Sequence, residues 1–583
     1  MEARLFFSSP TDVTQKQYEA LRALYHEGRS AASVAKQFTY KISTVYSLAR
    51  DFKKMLKAGS AHSQFFAPCG VGRKTCEDHN DIKAMAVLAR KKYMSVSEIK
   101  TLLDSHCKKI SERQICTILK AEGFDRLPKR SNLVRNKIQK PKRISAPKAD
   151  LLTYDKSEQF NTQNAAIFCF AQYITIYGID KLIQNSEYPG TSTLPKLNSI
   201  LAFLALKLSN IRRYSSDDLW CMDRGLGLFA GLNVLPKASW YTSYSHRITR
   251  EMNLNFLKAM NKLWIAKGLL SDSANLDFVA IPYYGESDHL ENNWSGTRKQ
   301  ALTSVLAAIA HDPESGIMTY GNTTVRHDDE SNTVLEFLDF YRQSCDDRNL
   351  KYLIFDSKFT VYENLNKLDD NGVKFITIRK RGKNIVKDIQ ALPSKDWKLI
   401  RVAAHNGTRL IKVIDQEITI KSYGNNKKKI RQIVIDGKGR IKPALIITND
   451  FDLATKDIVR KYSRRWLVEK NIAEQTQFFH LNRLSSSMVI KIDFDLTMTI
   501  LAHNLYRLIA QDLQGYSHNT SQTLYEKFIN NSGLVEINNN EVIVLLRKKR
   551  NLPAILSTLN KQPAAKVKWM DKKNLIIKAA TFS

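Results

Sequence analysis

Apolar positions along this chain follow a helical period first, a strand period next, and then a mixture of the two. Residues 14–27, 31–38 and 43–56 read as three short helices. A Thr14/Gln17 capping box opens the first, Gly28-Arg29-Ser30 breaks it, and Val45 and Leu48 face inward with the small Ala35 at the crossing. The pattern repeats over 81–93, a helix capped by Ser95 and Glu98, and a helix capped by Ser111 and Gln114 that stops at Gly123. Both triplets have the form of a helix-turn-helix. Residues 165–260 are mostly helical, with Leu201, Leu204 and Leu208 as a core stripe.

From residue 276 the runs shorten to strand length: 276–284, 303–310 and 317–325, then a helix over 331–342. Residues 352–381 hold a strand (Tyr352 to Phe355), a helix marked by Val361, Leu365 and Leu368 and stopped by Asn371-Gly372, and a second strand at 373–378. Four strand-like runs follow at 397–404, 409–420, 430–435 and 444–448, separated by Gly, Asn and Lys. A long helix over 455–479, with Asp452 as its cap, precedes an apolar helix at 494–511 and short strands at 542–546 and 575–578. Strands in a meander and then alternating with helices specify an α/β fold with a mixed sheet, interrupted by a β-rich insertion and preceded by all-α units.

The expected domains are helix-turn-helix units at 1–60 and 78–126, a basic linker at 127–150 and a helical region at 151–270. An α/β core spans 271–382 and 450–515, the β-rich insertion is 383–449, and a basic region fills 516–583. A chain of 583 residues is too long for a single core.

Charge sharpens this picture. Ninety Lys and Arg against 57 Asp and Glu give +33, spread over most of the length, which points to a polyanionic partner and to double-stranded DNA first. The third helix of each unit would then enter the major groove, presenting Lys41, Ser43, Thr44, Ser47 and Arg50 in one and Ser111, Arg113, Gln114 and Thr117 in the other. The Pro- and Lys/Arg-rich linker either lies along phosphates or is a solvated spacer. At the tip of the insertion, residues 425–429 offer either a DNA contact or solvated charge. No run of 18 apolar residues appears, so no membrane span is expected, and seven cysteines suggest reduced thiols and a cytoplasmic protein. The spacing of Cys69, Cys76 and His79 does not match a usual zinc knuckle.

Three carboxylates stand out: Asp277 within an apolar strand, Asp356 at the carboxyl end of a buried strand, and Glu469 on the late helix. Open α/β sheets place ligands and metals at such strand ends, although an aspartate there also serves simply to cap the next helix. Asp288 and Asp312 compete with Asp277. On the late helix Tyr462, Arg465, Trp466, Glu469, Ala473, Thr476 and His480 share one face, too polar for a core stripe; taken alone, Arg465 and Glu469 are a surface i,i+4 pair. Phosphodiester attack uses two divalent ions about 3.5–4 Å apart, which two strand aspartates and a helix glutamate are suited to hold as Mg2+ or Mn2+.

The order of LDFVAIPYYGE, YLIFDSK, a β-rich insertion and YSRRWLVEKNIAEQTQFFHLNRL resembles the DDE transposases of bacterial insertion sequences. The likeness runs over about 276–513 and is to the type whose ribonuclease-H-like fold is interrupted by a β-domain before the catalytic Glu. It implies Asp277, Asp356 and Glu469 as catalytic, metal-binding acids, with Tyr462 and Arg465 holding the DNA end. It further implies terminal repeats and target DNA as substrates, a homodimer on paired ends, and a place at the bacterial nucleoid. Two departures are visible: Thr476 stands where the family has Lys, and Phe278 follows the first Asp where Thr or Ser is usual. A non-cutting DNA-binding regulator and a plain metal-dependent endonuclease are the other readings of the same residues.

Overall fold

The computed structural model describes residues 3–59, 65–66, 78–106, 108, 110–127, 147–154, 156–211, 217–284, 290–295, 300–345, 349–404, 407–424, 428–436, 443–465, 474–481 and 488–581. The chain divides into two compact units, Met1–Ile144 and Ser145–Ser583.

Helices Val13–Tyr25, Ala31–Gln37 and Ile42–Lys57 form the first triplet of the N-terminal unit. Ala20, Ala23, Val34, Ala35, Phe38 and Val45 make its small core. The first helix starts one residue earlier than its sequence suggests, because Asp12, not Thr14, is the cap: its carboxylate accepts from the amides of Thr14 and Gln15. An ionised carboxylate is the stronger acceptor at a positive helix terminus, so it takes the capping place from the threonine. The second triplet is Asp78–Lys91, Val96–Ser105 and Glu112–Ala121, and both of its capping boxes are formed as read, Ser95 with Glu98 and Ser111 with Gln114. Ser95→Ala is expected to cost about 1 kcal/mol. Amides of the Val96–Ser105 helix should then exchange with solvent about fivefold faster in the full chain; unchanged exchange would show that the cap bears no load.

The larger unit is built on two sheets. Strand β1 (Glu158–Thr162) belongs to the smaller one. The larger begins with β2 (Ser273–Pro282), β3 (Glu291–Ser295), β4 (Gln300–His311), β5 (Met318–Val325), β6 (Tyr352–Phe355) and β7 (Lys374–Ile378). Its middle runs β5–β4–β2–β6–β7, with β6 parallel to both β2 and β7 and β4 antiparallel to β2 and β5. One antiparallel strand second from the edge of an otherwise parallel five is the ribonuclease-H-like arrangement. The residues of β6 are all buried, as its unbroken apolar run requires.

Strands β8 (Lys398–Ala404), β9 (Gly407–Thr419), β10 (Lys429–Asp436) and β11 (Ala444–Thr448) lie where the β-rich insertion is expected. They continue the same sheet: β11 pairs antiparallel with β7, and β10, β9 and β8 follow in turn.

The region read as a basic tail contributes β12 (Gly533–Ile537), β13 (Glu541–Leu546), β14 (Ala565–Val567) and β15 (Lys573–Ala579). They join β1 as a five-stranded sheet in the order β1–β12–β13–β15–β14. Val535, Val544, Val567 and Met570 enter the main core beside helices Phe168–Tyr177 and Lys196–Leu208. Leu201, Leu204 and Leu208 are fully buried there.

Helix Val489–Asp512 runs through the core and packs on β5. Gly321 makes that approach feasible, since a Cβ there would lie 2.7 Å from Ile500 Cδ1. Among the described residues no single helix is long and apolar enough to cross a membrane. The linker over residues 128–146 lies outside the described residues.

Candidate active site

Two strand ends set the site. The parallel pairing of β2 with β6 ends at Leu276 opposite Phe355. Asp277 is the next residue of β2 and Asp356 the residue that follows β6, so the two side chains start at the same level from neighbouring backbones about 5 Å apart. Alternation fixes their direction. Leu276 and Phe355 go to the main core, whereas Tyr352 and Ile354 go to a second core on the other face. Asp277 and Asp356 therefore belong to that second face.

Helix Thr455–Arg464 covers this face. Ile458 and Val459 pack against Tyr352, Ile354 and Ile376, with Tyr462 partly buried beside them. At helical spacing Ile458, Tyr462 and Arg465 follow one another down one side. Arg465 closes the helix, is 7% exposed, and donates from Nη1 to Asp277 Oδ2 at 2.5 Å. Asp277 Oδ1 accepts the amide of Phe278 at 2.8 Å. The guanidinium also lies 5.6 Å from the Tyr462 ring. Burial pushes the Tyr462 hydroxyl up to about 12; Arg465 opposes that shift while the charges of Asp356 and Asp277 add to it. Tyr462 is therefore a neutral hydroxyl near neutral pH, within the electrostatic reach of both aspartates. Asp277, Asp356, Tyr462 and Arg465 thus form one cluster.

The insertion helps to place that helix. Arg431 of β10 donates to the carbonyl of Leu453 at 2.6 Å and pairs with Asp415 of β9 at 2.7 Å. Asp415 also accepts from the Thr455 hydroxyl at 2.5 Å. Burial raises the Asp415 pKa, but the hydrogen bonds from Arg431 and Thr455 outweigh it and hold the carboxyl below its ordinary value. Asp452, expected to cap the helix, does not. The N-cap is Ala454, with no side-chain cap, and Asp450 instead holds the preceding turn by accepting from the amides of Asp452 and Leu453.

Glu469 lies outside the described residues, as do its neighbours Trp466 and Ala473 and the competitor Asp288. The described part of the long helix is Thr455–Arg464, with further helical residues at 474–477. His480 has a φ of 57°, so the helix has ended by that point. Thr476 is half-buried. Asp312 is ruled out by its bonding: buried in the turn between β4 and β5, it accepts from Ser271, Glu314 and Ser315 and serves the turn. Among the described residues no group of three or more His, Cys, Asp or Glu is gathered to hold a metal ion. Two adjacent carboxylates already offset by the cation Arg465 are nonetheless a donor set that suits hard divalent ions.

In the N-terminal unit Ser43, Ser47, Arg50, Arg113 and Thr117 are exposed and Thr44 is half-exposed. Gln114 is exposed too; its Oε1 accepts from Ser111 in the capping box, which engages the oxygen of the amide and not its Nε2 donors. Tyr46, at 63% exposure, stands on the outer face of the helix Ile42–Lys57; the sequence reading passed over it, although it lies between Ser43 and Ser47 in the same turn. The insertion tip at residues 425–427 lies outside the described residues.

Residues 276–505 match the family model of the transposase DDE domain. No curated protein matches. Among solved structures, the chain is similar to a piggyBac transposase synaptic complex with hairpin DNA, at 11% identity and a TM-score of 0.32, covering 71% of this chain and 87% of that one. It is also similar to the Mos1 strand transfer complex, at 9% identity and a TM-score of 0.13, covering 62% and 76%. Superpositions that loose carry no argument of their own.

Proposed function

We propose, from the match of residues 276–505 to the transposase DDE domain model, that this protein binds transposon ends, cuts them and joins the freed 3′-hydroxyl to target DNA. The observation that carries the reading is the level pair Asp277 and Asp356, one residue past the last paired positions of β2 and β6. In this reading Asp277, Asp356 and Glu469 would hold two Mg2+ or Mn2+ ions. Such ions would activate the attacking water, and later the DNA 3′-hydroxyl, and would offset charge on the leaving oxygen. Arg465 now occupies Asp277. Its forked donors would suit a DNA phosphate if the Asp277 carboxylate held an ion instead, and Tyr462 lies beside it. Thr476 supplies no charge where the family has Lys, so Arg465 carries more of that grip.

The N-terminal helices read the terminal repeat, with Ser43, Thr44, Arg50, Arg113 and Gln114 at the groove, and a homodimer holds the paired ends in the bacterial nucleoid. Removing residues 1–126 is expected to abolish preference for end DNA over unrelated DNA in a mobility-shift titration; a retained preference would overturn this assignment. Binding should also weaken steeply with salt.

The deciding experiment is cleavage of duplexes carrying the DNA that borders the gene, with Mg2+ or Mn2+, beside a variant with Asp277→Ala, Asp356→Ala and Glu469→Ala. Metal-dependent nicking that the triple variant lacks is the expected result. Joined products would separate a transposase from an endonuclease, and binding without cutting by the intact protein would make it a regulator.

A further inference from the structure

Phe278 follows Asp277 where the resembled family often has Thr or Ser, and the structure shows what that ring touches. Phe278 stacks on Phe359 with centroids 3.9 Å apart and planes 13° apart. Phe359 is fully buried and meets Phe355 edge-on at 6.0 Å. This stack joins the residue after Asp277 to the third residue after Asp356. On the outer side of it lies Lys358, exposed, with Nζ 5.9 Å from the Phe278 centroid.

The placement of that ammonium is informative. It stands two residues from Asp356, yet among the described residues no carboxylate pairs with it, and the charge of Asp277 is met by Arg465 instead. A lysine present to balance the acids would pair with one of them. Phe278 points to the face opposite Asp277, so its ring holds Lys358 on the far side of the strand ends from Arg465. Two cations thus bracket the two carboxylates, one on each face of the sheet edge. A DNA strand crossing that edge carries a phosphate at every nucleotide, and an ammonium with three free donors on a long stem suits such a phosphate.

We propose that Lys358 is a DNA-binding residue of the active site, taking the backbone phosphate next to the scissile one on the face opposite Arg465, with Phe278 as the ring that positions it. This rests on the transposase reading above.

The test uses the full-length protein with a fluorescent duplex of the DNA bordering the gene. It compares Lys358→Met, Lys358→Arg, Phe278→Leu and Phe278→Tyr with the intact chain and with Asp356→Asn. Lys358→Met should leave the melting curve unchanged, since the side chain is exposed. It should also cut about tenfold more slowly at subsaturating DNA and lower the slope of log affinity on log salt by about one. Lys358→Arg should restore both. Phe278→Leu should lose part of the rate and Phe278→Tyr should recover it. Unchanged slope and rate in Lys358→Met, with the intact protein active and Asp356→Asn inactive, would overturn the proposal while leaving the transposase reading in place. An intact protein that neither binds nor cuts this DNA would overturn both.

Discussion

Asp356→Asn is expected to lower DNA cleavage by at least about a thousandfold, or about 4 kcal/mol of barrier, while end binding persists. The amide keeps the shape of the carboxylate and removes the charge that a divalent ion needs. Asp356 is the better choice for this test than Asp277 for a structural reason. Asp277 is 8% exposed and paired with Arg465, itself 7% exposed. Asp277→Asn would leave a buried guanidinium without its carboxylate, so lost activity there would mix chemistry with stability. Asp356 is half-buried, and among the described residues no ion pair joins its side chain. A gel assay with Mg2+ in which Asp356→Asn still nicks border DNA would remove this residue from the site.

The second large effect lies away from the chemistry. Asp493, on helix Val489–Asp512, is almost wholly buried and joins three elements. Its Oδ1 accepts from Arg250 at 2.6 Å and from the Thr323 hydroxyl at 3.0 Å, and its Oδ2 accepts from Asn253 at 2.8 Å. Helix Arg250–Ala266 and strand β5 are thereby tied to the core helix that packs on the larger sheet. Asp493→Ala strands the Arg250 charge and two polar donors, and is expected to cost about 3–5 kcal/mol. Asp493→Asn keeps two acceptor lone pairs and should fall between it and the intact chain. Denaturant unfolding followed by tryptophan fluorescence measures the order; a loss below about 1 kcal/mol for Asp493→Ala would show that the network is dispensable.

Helix caps and buried strands were legible in the sequence because their causes are local. Ser95 with Glu98 and Ser111 with Gln114 were each visible in four residues, and the apolar run from Tyr352 to Phe355 could be little else than a buried strand. The cap on the first helix was misassigned because Thr14 and Asp12 both offer acceptors, and only the backbone direction chooses between them. Asp312 competed with Asp277 for a similar reason: residue type says nothing of partners, and its five hydrogen bonds, three within the β4–β5 turn and two from Ser271, appear only once the chain is folded.

The sequence alone determined the α/β class, the two helical triplets, the order of the core strands and the likeness that singles out Asp277, Asp356 and Glu469. Each of these rests on periodicity or on short motifs, which neighbouring residues specify. The tertiary structure decided what depends on pairing across long separations. It brought Asp277 level with Asp356 through parallel pairing of β2 and β6, set Arg465 on Asp277 across 188 positions, and stacked Phe278 on Phe359. It also turned the expected insertion into a continuation of the larger sheet and the expected tail into a second sheet around β1. Strand pairing depends on which edges meet, and loop closure lets any of many edges meet at similar entropic cost. Local sequence cannot make that choice; burial of the whole core makes it.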